Sequence, residues 1–297
     1  MGEIPVFTRL ETAIRTYGGT VIAWELDRRF RATSPFTFTV KASKSGVGDW
    51  TVVAEVEDTC LAVDPYRHLY AMAPHLFYQV TLTDGDGNVY DSSVHQMISD
   101  FNAHDTAIVR ETIRKENLRN MKYAGQHGYL LKRRRWGEPC TVCTDFDSDE
   151  VINAKCPVCY GTGFVGGYFE PIHYWISPSE TGKQRRTTTQ AEGQGVVEDR
   201  VRQGRSVNCP WLDTEDLWVE SNSDRRYFVQ TVKEVTYRGL AILFDPVELR
   251  LAPATDVVYT VPLDVLPSSS SAVADVYQGN PVYLRRPGVR TCNCGGH

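Results

Sequence analysis

The sequence predicts a mainly β protein with one connecting helix and a four-cysteine insert, and three observations support this fold class. Short runs of alternating apolar and polar residues, separated by glycine-containing turns, fill both ends of the chain. Between them, the stretch from Asp105 to Ala124 has the length of a helix and contains no Pro or Gly. Two C-x2-C pairs follow it, formed by Cys140, Cys143, Cys156 and Cys159.

Length and composition limit the classes of protein to which the chain can belong. A chain of 297 residues is long enough for about two or three domains. Its 41% hydrophobic and 23% charged residues are typical of a soluble globular protein. The net charge of -5 argues against a protein that coats nucleic acid along its whole surface. Without a signal-like N-terminus or an apolar stretch near about 18 residues, we expect a chain that is made in the cytoplasm and does not span a membrane.

Changes in periodicity divide the chain into five segments. β-like alternation dominates the first and fourth segments, and the helix-length run lies in the second. The segments are a β-sandwich at 1–97, a connecting helix and basic strand at 98–137, a four-cysteine segment with a polar arm at 138–206, a small β-barrel at 207–266 and an extended tail at 267–297.

The first segment reads as an antiparallel sandwich. Five β-prone runs are separated by turn signals such as Gly18-Gly19 and the Asp-Gly-Asp-Gly step at 84–87, and they cover 20–26, 36–40, 50–54, 76–82 and 88–91. We expect Trp24 and Tyr78 in the core, since aromatic side chains in such strands are usually buried. The acidic step at 84–87 is interpreted as a hairpin turn, because a calcium loop would need further ligands at fixed offsets.

The order of these features resembles a fibronectin type III domain. The resemblance rests on Trp24 in the second strand, Trp50 after a glycine turn, Tyr78, and the hairpin at 84–87 leading to a last strand. It implies a fibronectin III-like β-sandwich that serves as a spacer or adhesion module and brings no catalytic residue.

The second segment combines the helix with a basic strand. Asp100 or Asp105 is expected to cap the helix, and Val109, Ile113 and Met121 form only a narrow apolar stripe, which indicates a helix on a surface or against another subunit. Residues 100–135 contain nine Lys or Arg against four Asp or Glu. The run Lys132, Arg133, Arg134 and Arg135 is either a solvated basic face or a contact with DNA phosphates or an acidic partner.

The four cysteines have the spacing of a tetrahedral zinc site. Twelve residues separate the two pairs, and Pro157, Gly161 and Gly163 suit the tight turns that such knuckles need. Because four thiolates leave no open coordination position, the spacing predicts structural Zn2+ rather than a catalytic metal. Such a site can contribute on the order of 10 kcal/mol to the folding of a segment with little core of its own. Four unrelated buried thiols are the alternative.

The second cysteine pair also resembles a known repeat. Cys156-Pro-Val-Cys159-Tyr-Gly-Thr-Gly resembles one C-x-x-C-x-G-x-G repeat of DnaJ-type chaperones, which carry four repeats where this chain has one. We interpret the likeness as shared knuckle geometry and not as chaperone function. Beyond it, a strand is expected over 168–176 with His173 half-buried, followed by a polar arm over 177–206.

The fourth segment reads as a small β-barrel. Its β-prone runs lie at 217–220, 226–235, 240–244, 247–251 and 257–261. The core is expected to contain Val229, Val232, Val235, Ile242, Phe244, Leu249 and Leu251.

This segment resembles the barrel domains of head-closure and neck proteins of tailed bacteriophages. The resemblance rests on an acidic turn before Arg225, on Gly239, and on a closing Tyr259-Thr-Val-Pro262. In that family the barrel is repeated around a ring and brings no catalytic residue. The resemblance implies a virion component whose partners are copies of itself and neighbouring virion proteins.

Cysteines outside the two C-x2-C pairs suggest that the chain could contain a second metal site. Cys209 could join Cys292, Cys294 and His297 near the end of the Ser-rich tail, although an ordinary extended arm is the alternative.

The leading hypothesis is a structural virion protein of a tailed phage, made in the host cytoplasm and assembled as a ring at the neck or head-tail connector. The sequence contains no Gly-x-Ser-x-Gly, His-Glu-x-x-His or nucleotide-binding loop, so we do not expect an enzyme. A baseplate or tail position is the near alternative. Two other classes are a zinc-ribbon protein that binds nucleic acid through 132–135, and a redox or chaperone module in which Cys140 and Cys143 are free thiols.

Overall fold

The computed structural model describes residues 5–14, 20–64, 76–96, 102–145, 150–179, 201–238 and 240–263. The fold is mainly β, as predicted, with multi-stranded sheets, a barrel and a four-cysteine cluster. Among these residues, no helix has both the length and the apolar character needed to cross a membrane.

Two antiparallel sheets form the N-terminal sandwich. The first has the order β1-β2-β5 and the second the order β4-β3-β6-β7, with β8 also pairing with β6. These strands are β1 (Phe7–Ile14), β2 (Thr20–Leu26), β3 (Thr37–Ser43), β4 (Thr51–Glu57), β5 (Leu61–Asp64), β6 (Phe77–Thr83), β7 (Val89–Asp91) and β8 (His95–Gln96). The sequence prediction identified five of them and missed β1, β5 and β8.

Alternation along β3 and β6 builds the sandwich core. Phe38 and Val40 point inward from β3 and are fully buried, and so is Tyr78 from β6. Trp24 of β2 is also buried, and its ring lies 4.9 Å from that of Phe38. The core positions expected for Trp24 and Tyr78 are confirmed.

The acidic step at 84–87 is a hairpin turn. The Asp84 carboxylate accepts hydrogen bonds from the backbone N–H groups of Asp86 (3.0 Å) and Asn88 (2.8 Å), and from the Asn88 amide (2.9 Å). The Asp84 side chain therefore stabilises the turn between β6 and β7 by accepting from the backbone of the turn.

One helix follows the sandwich and lies against the barrel. It comprises α1 (Ala103–Arg119) and a π-helical turn (Asn120–Ala124). Its N-cap is Asn102, whose side chain accepts from the Asp105 N–H at 2.8 Å, so the predicted cap at Asp105 is wrong. Asp105 instead lies in the first turn, where it accepts from the Tyr237 hydroxyl at 3.0 Å. Asp100, the other predicted cap, lies outside the described residues.

The narrow apolar stripe of α1 packs on the same chain. Val109 and Ile113 form a cluster with Ile242 and Leu243, two barrel residues. Asn117, which interrupts this stripe in the sequence, donates to the Asn208 side chain at 2.7 Å and accepts from its backbone N–H at 2.9 Å. Within this chain, the helix surface is therefore completed by the barrel.

Six strands close the barrel in the order β12-β13-β16-β15-β14-β9. They are β9 (Gln126–Leu131), β12 (Ile172–Ser179), β13 (Val201–Ser206), β14 (Leu217–Glu220), β15 (Arg226–Tyr237) and β16 (Leu240–Leu251). The barrel thus extends well beyond the segment 207–266 in which we expected it. A separate two-stranded sheet consists of β10 (Thr144–Asp145) and β11 (Glu150–Val151).

Three sequence expectations in the barrel region are corrected. The two runs at 240–244 and 247–251 form one continuous strand, β16. The predicted strand at 257–261 is instead a 3-10 helix (Val257–Thr260), because the Asp256 side chain caps the Val258 N–H at 3.0 Å. The ends of the expected polar arm belong to β12 and β13, and the remainder of that arm, 180–200, lies outside the described residues.

The expected barrel core is largely correct. Val229, Ile242, Phe244 and Leu249 are buried, while Val232, Val235 and Leu251 are half-buried and pack against the core.

Candidate metal centre

Four cysteine sulfurs converge where the sequence predicted a metal site. All four side chains are buried, and their sulfurs lie within 4.8 Å of one another. The Sγ atoms of Cys140 and Cys156 are 3.9 Å apart, and those of Cys143 and Cys159 are 3.1 Å apart. A tetrahedral ion with bonds of about 2.3 Å to sulfur sets a sulfur–sulfur separation of about 3.8 Å. The cluster is compatible with a metal site, and each short distance joins one cysteine of each pair.

Both C-x2-C pairs sit in tight turns. The Thr144 N–H donates to the Cys140 carbonyl at 3.1 Å, and the Tyr160 N–H donates to the Cys156 carbonyl at 2.8 Å. Gly161 and Gly163 adopt φ values of 81° and 88°, in the region that favours glycine. The glycines expected at these turns therefore have a conformational role.

Backbone N–H groups prepare one thiol for metal binding. Burial raises the pKa of Cys156, but the N–H groups of Cys159 and Val158 donate to its sulfur and lower the pKa to about 7. Burial raises the pKa of the Cys140 and Cys143 thiols. A cation at the centre would oppose that rise, because metal coordination favours the thiolate.

The centre lies at the end of a long hairpin that grows out of the barrel. β9 and β12 pair antiparallel, and the residues between them, 132–171, are here called the knuckle hairpin. Its backbone ladder continues through Phe169 N–H to Lys132 O (2.9 Å) and Arg134 N–H to Gly167 O (2.9 Å). Nearer the tip, the Cys140 N–H donates to Gly163 O at 2.8 Å. The four-cysteine cluster therefore fixes the far end of a barrel hairpin.

Lys132 lies at the base of the knuckle hairpin and is not a surface cation. Its side chain is 8% exposed, and its ammonium donates to Asp216 (2.6 Å), Asp213 (2.7 Å) and the Trp211 carbonyl (3.0 Å). Burial alone would lower the pKa of Lys132, but the two carboxylates raise it above its usual value. The solvated-face interpretation is therefore wrong for this residue.

The same carboxylates extend the network to the sandwich. Arg9 of β1 reaches Asp213 at 3.1 Å and stacks over the Trp211 ring at 4.4 Å. The Asp216 carboxylate also accepts from the backbone N–H of Arg133 at 3.0 Å and of Asp213 at 2.8 Å. Burial raises the pKa of Asp216. Burial would also raise the pKa of Asp213, but Lys132, Arg9 and Arg135 together lower it below its usual value.

The three arginines after Lys132 also have partners within the chain. Arg133 forms an ion pair with Glu215. Arg134 makes a bidentate pair with Asp58 at 2.8 and 2.6 Å and stacks over Phe169. Arg135 donates to the Thr214 carbonyl at 2.9 Å and lies 3.7 Å from Glu25. A contact of these arginines with phosphates or an acidic partner stays a prediction, and it would have to compete with these pairs.

Sequence reasoning did not identify the partners in this network. Asp213, Asp216 and Trp211 lie about 80 residues from Lys132, and Asp213 lies 204 residues from Arg9. The signal in the sequence was weak, consisting only of an acidic cluster after Trp211 in a chain with an isolated basic run.

His173 is half-buried on β12, as expected, but it has a partner that we did not predict. Its Nδ1 lies 2.9 Å from Nε2 of His127 on β9. Cys209 is buried, whereas Cys292, Cys294 and His297 lie outside the described residues, so the second metal site stays a prediction.

The fold and centre define a class: a mainly β protein with a sandwich, a barrel and a four-cysteine cluster at the end of a barrel hairpin. No protein-family model matches the chain, and no curated protein matches it. A solved structure described as "Titin kinase and its flanking domains" is similar over 60% of this chain and 30% of that chain, with 8% sequence identity and a TM-score of 0.24. A TM-score of that size carries no argument about fold or function.

Proposed function

We propose that the chain is a structural protein of a tailed-phage virion that assembles as a ring at the neck or head-tail connector and holds Zn2+ in its four-cysteine centre. The observation that carries the proposal is the closed set of four buried sulfurs at the end of the knuckle hairpin. Such a set leaves no position for substrate or water, so its contribution is to hold shape. The placement in a phage neck rests on the resemblance of the barrel sequence to neck proteins.

Zinc suits the centre because four thiolates in a tetrahedral arrangement are its common structural ligand set. The hairpin tip has little core besides the cysteines, with Val151 as the packed apolar neighbour among the described residues. Metal binding would therefore supply much of the free energy that orders the tip.

The hairpin tip carries apolar side chains that face solvent. Val142 is 70% exposed and Ile152 is 77% exposed, and Val158 and Val165 are each 39% exposed. Both knuckles thus present a valine between their ligands. Exposed apolar residues on one element often mark a protein contact, and we assign this contact to a second copy of the chain in the ring.

The zinc part of the proposal is tested by metal analysis and chelation. We expect one zinc ion per chain, and a strong chelator should abolish the protease resistance of the knuckle hairpin. Protein that binds no zinc, with Cys140 and Cys143 reacting as free thiols, would instead support the redox or chaperone class.

The ring part is tested by light scattering of the purified protein. We expect a closed oligomer for the natural sequence and a smaller species for the double variant Val142→Ser and Ile152→Ser. Val47→Ser is the matched control, because Val47 is 92% exposed in a sandwich turn away from the tip. A monomer at all concentrations would contradict the ring while leaving the zinc result unaffected.

The same observations support a baseplate or tail position in the virion, which is the near alternative to the neck. Binding to nucleic acid is the second candidate, because Arg28, Arg133, Arg134 and Arg135 border one open cleft between the sandwich and the knuckle hairpin. Glu25, Asp27 and Glu215 line the same cleft, so a nucleic acid would compete with these carboxylates for the arginines. Salt-dependent binding of the purified protein to DNA would favour this candidate.

A further inference from the structure

A pair of histidines on the outside of the barrel stands apart from the four-cysteine centre. His127 lies on β9 and His173 on β12, and these strands pair antiparallel with His173 opposite Tyr129 and Trp175 opposite His127. His173 and Trp175 alternate with the buried Ile172, Tyr174 and Ile176. The histidines are thus half-buried on the outer face of the barrel, where water can reach them.

The two imidazoles meet edge to edge. His127 Nε2 and His173 Nδ1 are 2.9 Å apart, while the ring centroids are 5.1 Å apart and the planes differ by 26°. The centroid distance exceeds the nitrogen–nitrogen distance by roughly two ring radii, so the nitrogens face each other along the line of centres. Trp175 flanks His127, with centroids 4.9 Å apart, and Tyr129 flanks both histidines.

Both rings are held in the neutral form around neutral pH. Burial lowers the pKa of His127, and the neighbouring His173 lowers it further; burial also lowers the pKa of His173. A neutral imidazole has one N–H and one lone pair. If one ring moves its proton to its outer nitrogen, both facing nitrogens offer a lone pair, and no net loss of a proton is needed.

From this geometry we infer that His127 and His173 form a metal site on the outer face of the barrel, distinct from the tail site considered above. This barrel site takes a divalent transition-metal ion through two imidazoles and completes its coordination with water. With metal–nitrogen bonds of about 2.0–2.1 Å, two nitrogens 2.9 Å apart subtend an angle of about 90° at the ion. That angle belongs to square-planar or octahedral coordination, which favours Ni2+ or Cu2+ over tetrahedral Zn2+. The facing lone pairs now point along the line of centres, so each ring must turn by about 45° to aim its lone pair at that ion.

The test uses Ni2+ as the probe, because it does not oxidise thiols. The protein is first loaded with zinc, and Cys292→Ser, Cys294→Ser and His297→Gln are introduced together to remove donors in the tail. Calorimetric titration at neutral pH should then show one Ni2+ bound per chain. His127→Gln and His173→Gln should each weaken this binding by more than about tenfold.

His104→Gln is the matched control, because His104 is exposed on α1 and should leave Ni2+ binding unchanged. A second measurement leaves the histidine pair unchanged: Ni2+ added to the zinc-loaded protein that carries the three tail substitutions should broaden the ring NMR signals of His127 and His173 before those of other histidines. Equal binding by His127→Gln and His104→Gln, or broadening that starts at other histidines, would overturn the proposal.

Discussion

Lys132 neutralises the buried Asp216 and the half-buried Asp213 where the sandwich, the knuckle hairpin and the barrel meet. Each of its three ammonium protons has an acceptor within 3.0 Å. Through Asp213 the network reaches Arg9 of β1. A buried charge of this kind costs desolvation, and its removal leaves the partner charges uncompensated.

We therefore predict that Lys132→Met lowers the free energy of unfolding by about 3–5 kcal/mol. The buried Asp216 would then lack its main counter-charge. Urea denaturation followed by tryptophan fluorescence measures the change. Lys155→Met is the control, because Lys155 is exposed and its loss should change stability by no more than about 0.5 kcal/mol. Similar losses for both variants would show that the buried network contributes little.

The histidine pair predicts a loss of stability on acidification. Because folding lowers the pKa of His127 and His173, the unfolded chain binds more protons below its histidine pKa of about 6.5. The free energy of unfolding should then fall as the pH drops from about 6.5 through the lower pKa values of the folded state. Urea denaturation at several pH values should show a smaller fall for the double variant His127→Gln and His173→Gln than for His104→Gln.

At the scale of single residues, the sequence predicted the positions and roles that follow from the spacing of residues close together in the chain. The four cysteines could be assigned because two C-x2-C pairs specify a shared site, and Trp24 and Tyr78 because alternation places them inward. The ion-pair network could not be predicted. Its members meet only after the barrel closes, and the run at 132–135 looks the same in sequence whether it is buried or exposed.

At the scale of elements, the turns of the knuckle hairpin control the four-cysteine centre. Gly167 has a φ of 65°, and a Cβ atom there would lie 2.6 Å from the Cys159 carbonyl oxygen. Any side chain at this position would push on the turn that carries Cys159. The glycine is thus required both by its backbone conformation and by the available space.

Gly167→Ala should weaken zinc binding by about fivefold to a hundredfold, since strain of this kind costs about 1–3 kcal/mol. Competition with a coloured chelator measures the affinity. Gly48→Ala serves as the control, because a Cβ atom at Gly48 meets nothing within 4 Å. An unchanged zinc affinity in Gly167→Ala would show that the conformation of this turn does not control the metal centre.

The helix depends on its buried amides. Asn117→Ala removes both bonds to Asn208 and leaves buried polar groups unsatisfied, so we expect it to lower the free energy of unfolding by about 1–3 kcal/mol. Hydrogen exchange should show faster opening of α1 in this variant. Lys115→Ala, on the exposed face of the same helix, should leave the exchange pattern unchanged.

Helices and strands could be predicted where a local pattern of residues determines them. They could not be predicted where contacts with residues distant in the sequence determine the structure. The alternation of apolar and polar residues identified β3 and β6. All four residues of β5 are buried, so this strand lacks the alternation by which a strand is predicted. The run at 257–260 is β-prone, yet it forms a 3-10 helix. The carbonyls of Val258 within this helix and of Val261 just after it accept from the Arg226 guanidinium. That contact spans more than thirty residues of sequence.

At the scale of the whole molecule, the sandwich and barrel share one continuous core. Trp136 of the knuckle hairpin is buried, with its ring 5.5 Å from Phe38 in the sandwich and 5.3 Å from Phe169. The hairpin that carries the four-cysteine centre is therefore packed against the sandwich as well as paired with the barrel. Order at the hairpin tip is thereby linked to the packing of both β units.

Native mass spectrometry of the full chain tests the central claim, a zinc-stapled subunit of a ring, most directly. A single spectrum reports both the number of chains in the assembly and the number of metal ions bound. We predict a closed oligomer whose mass equals a whole number of chains with one zinc ion for each. A monomer whose mass matches the bare chain would contradict the proposal.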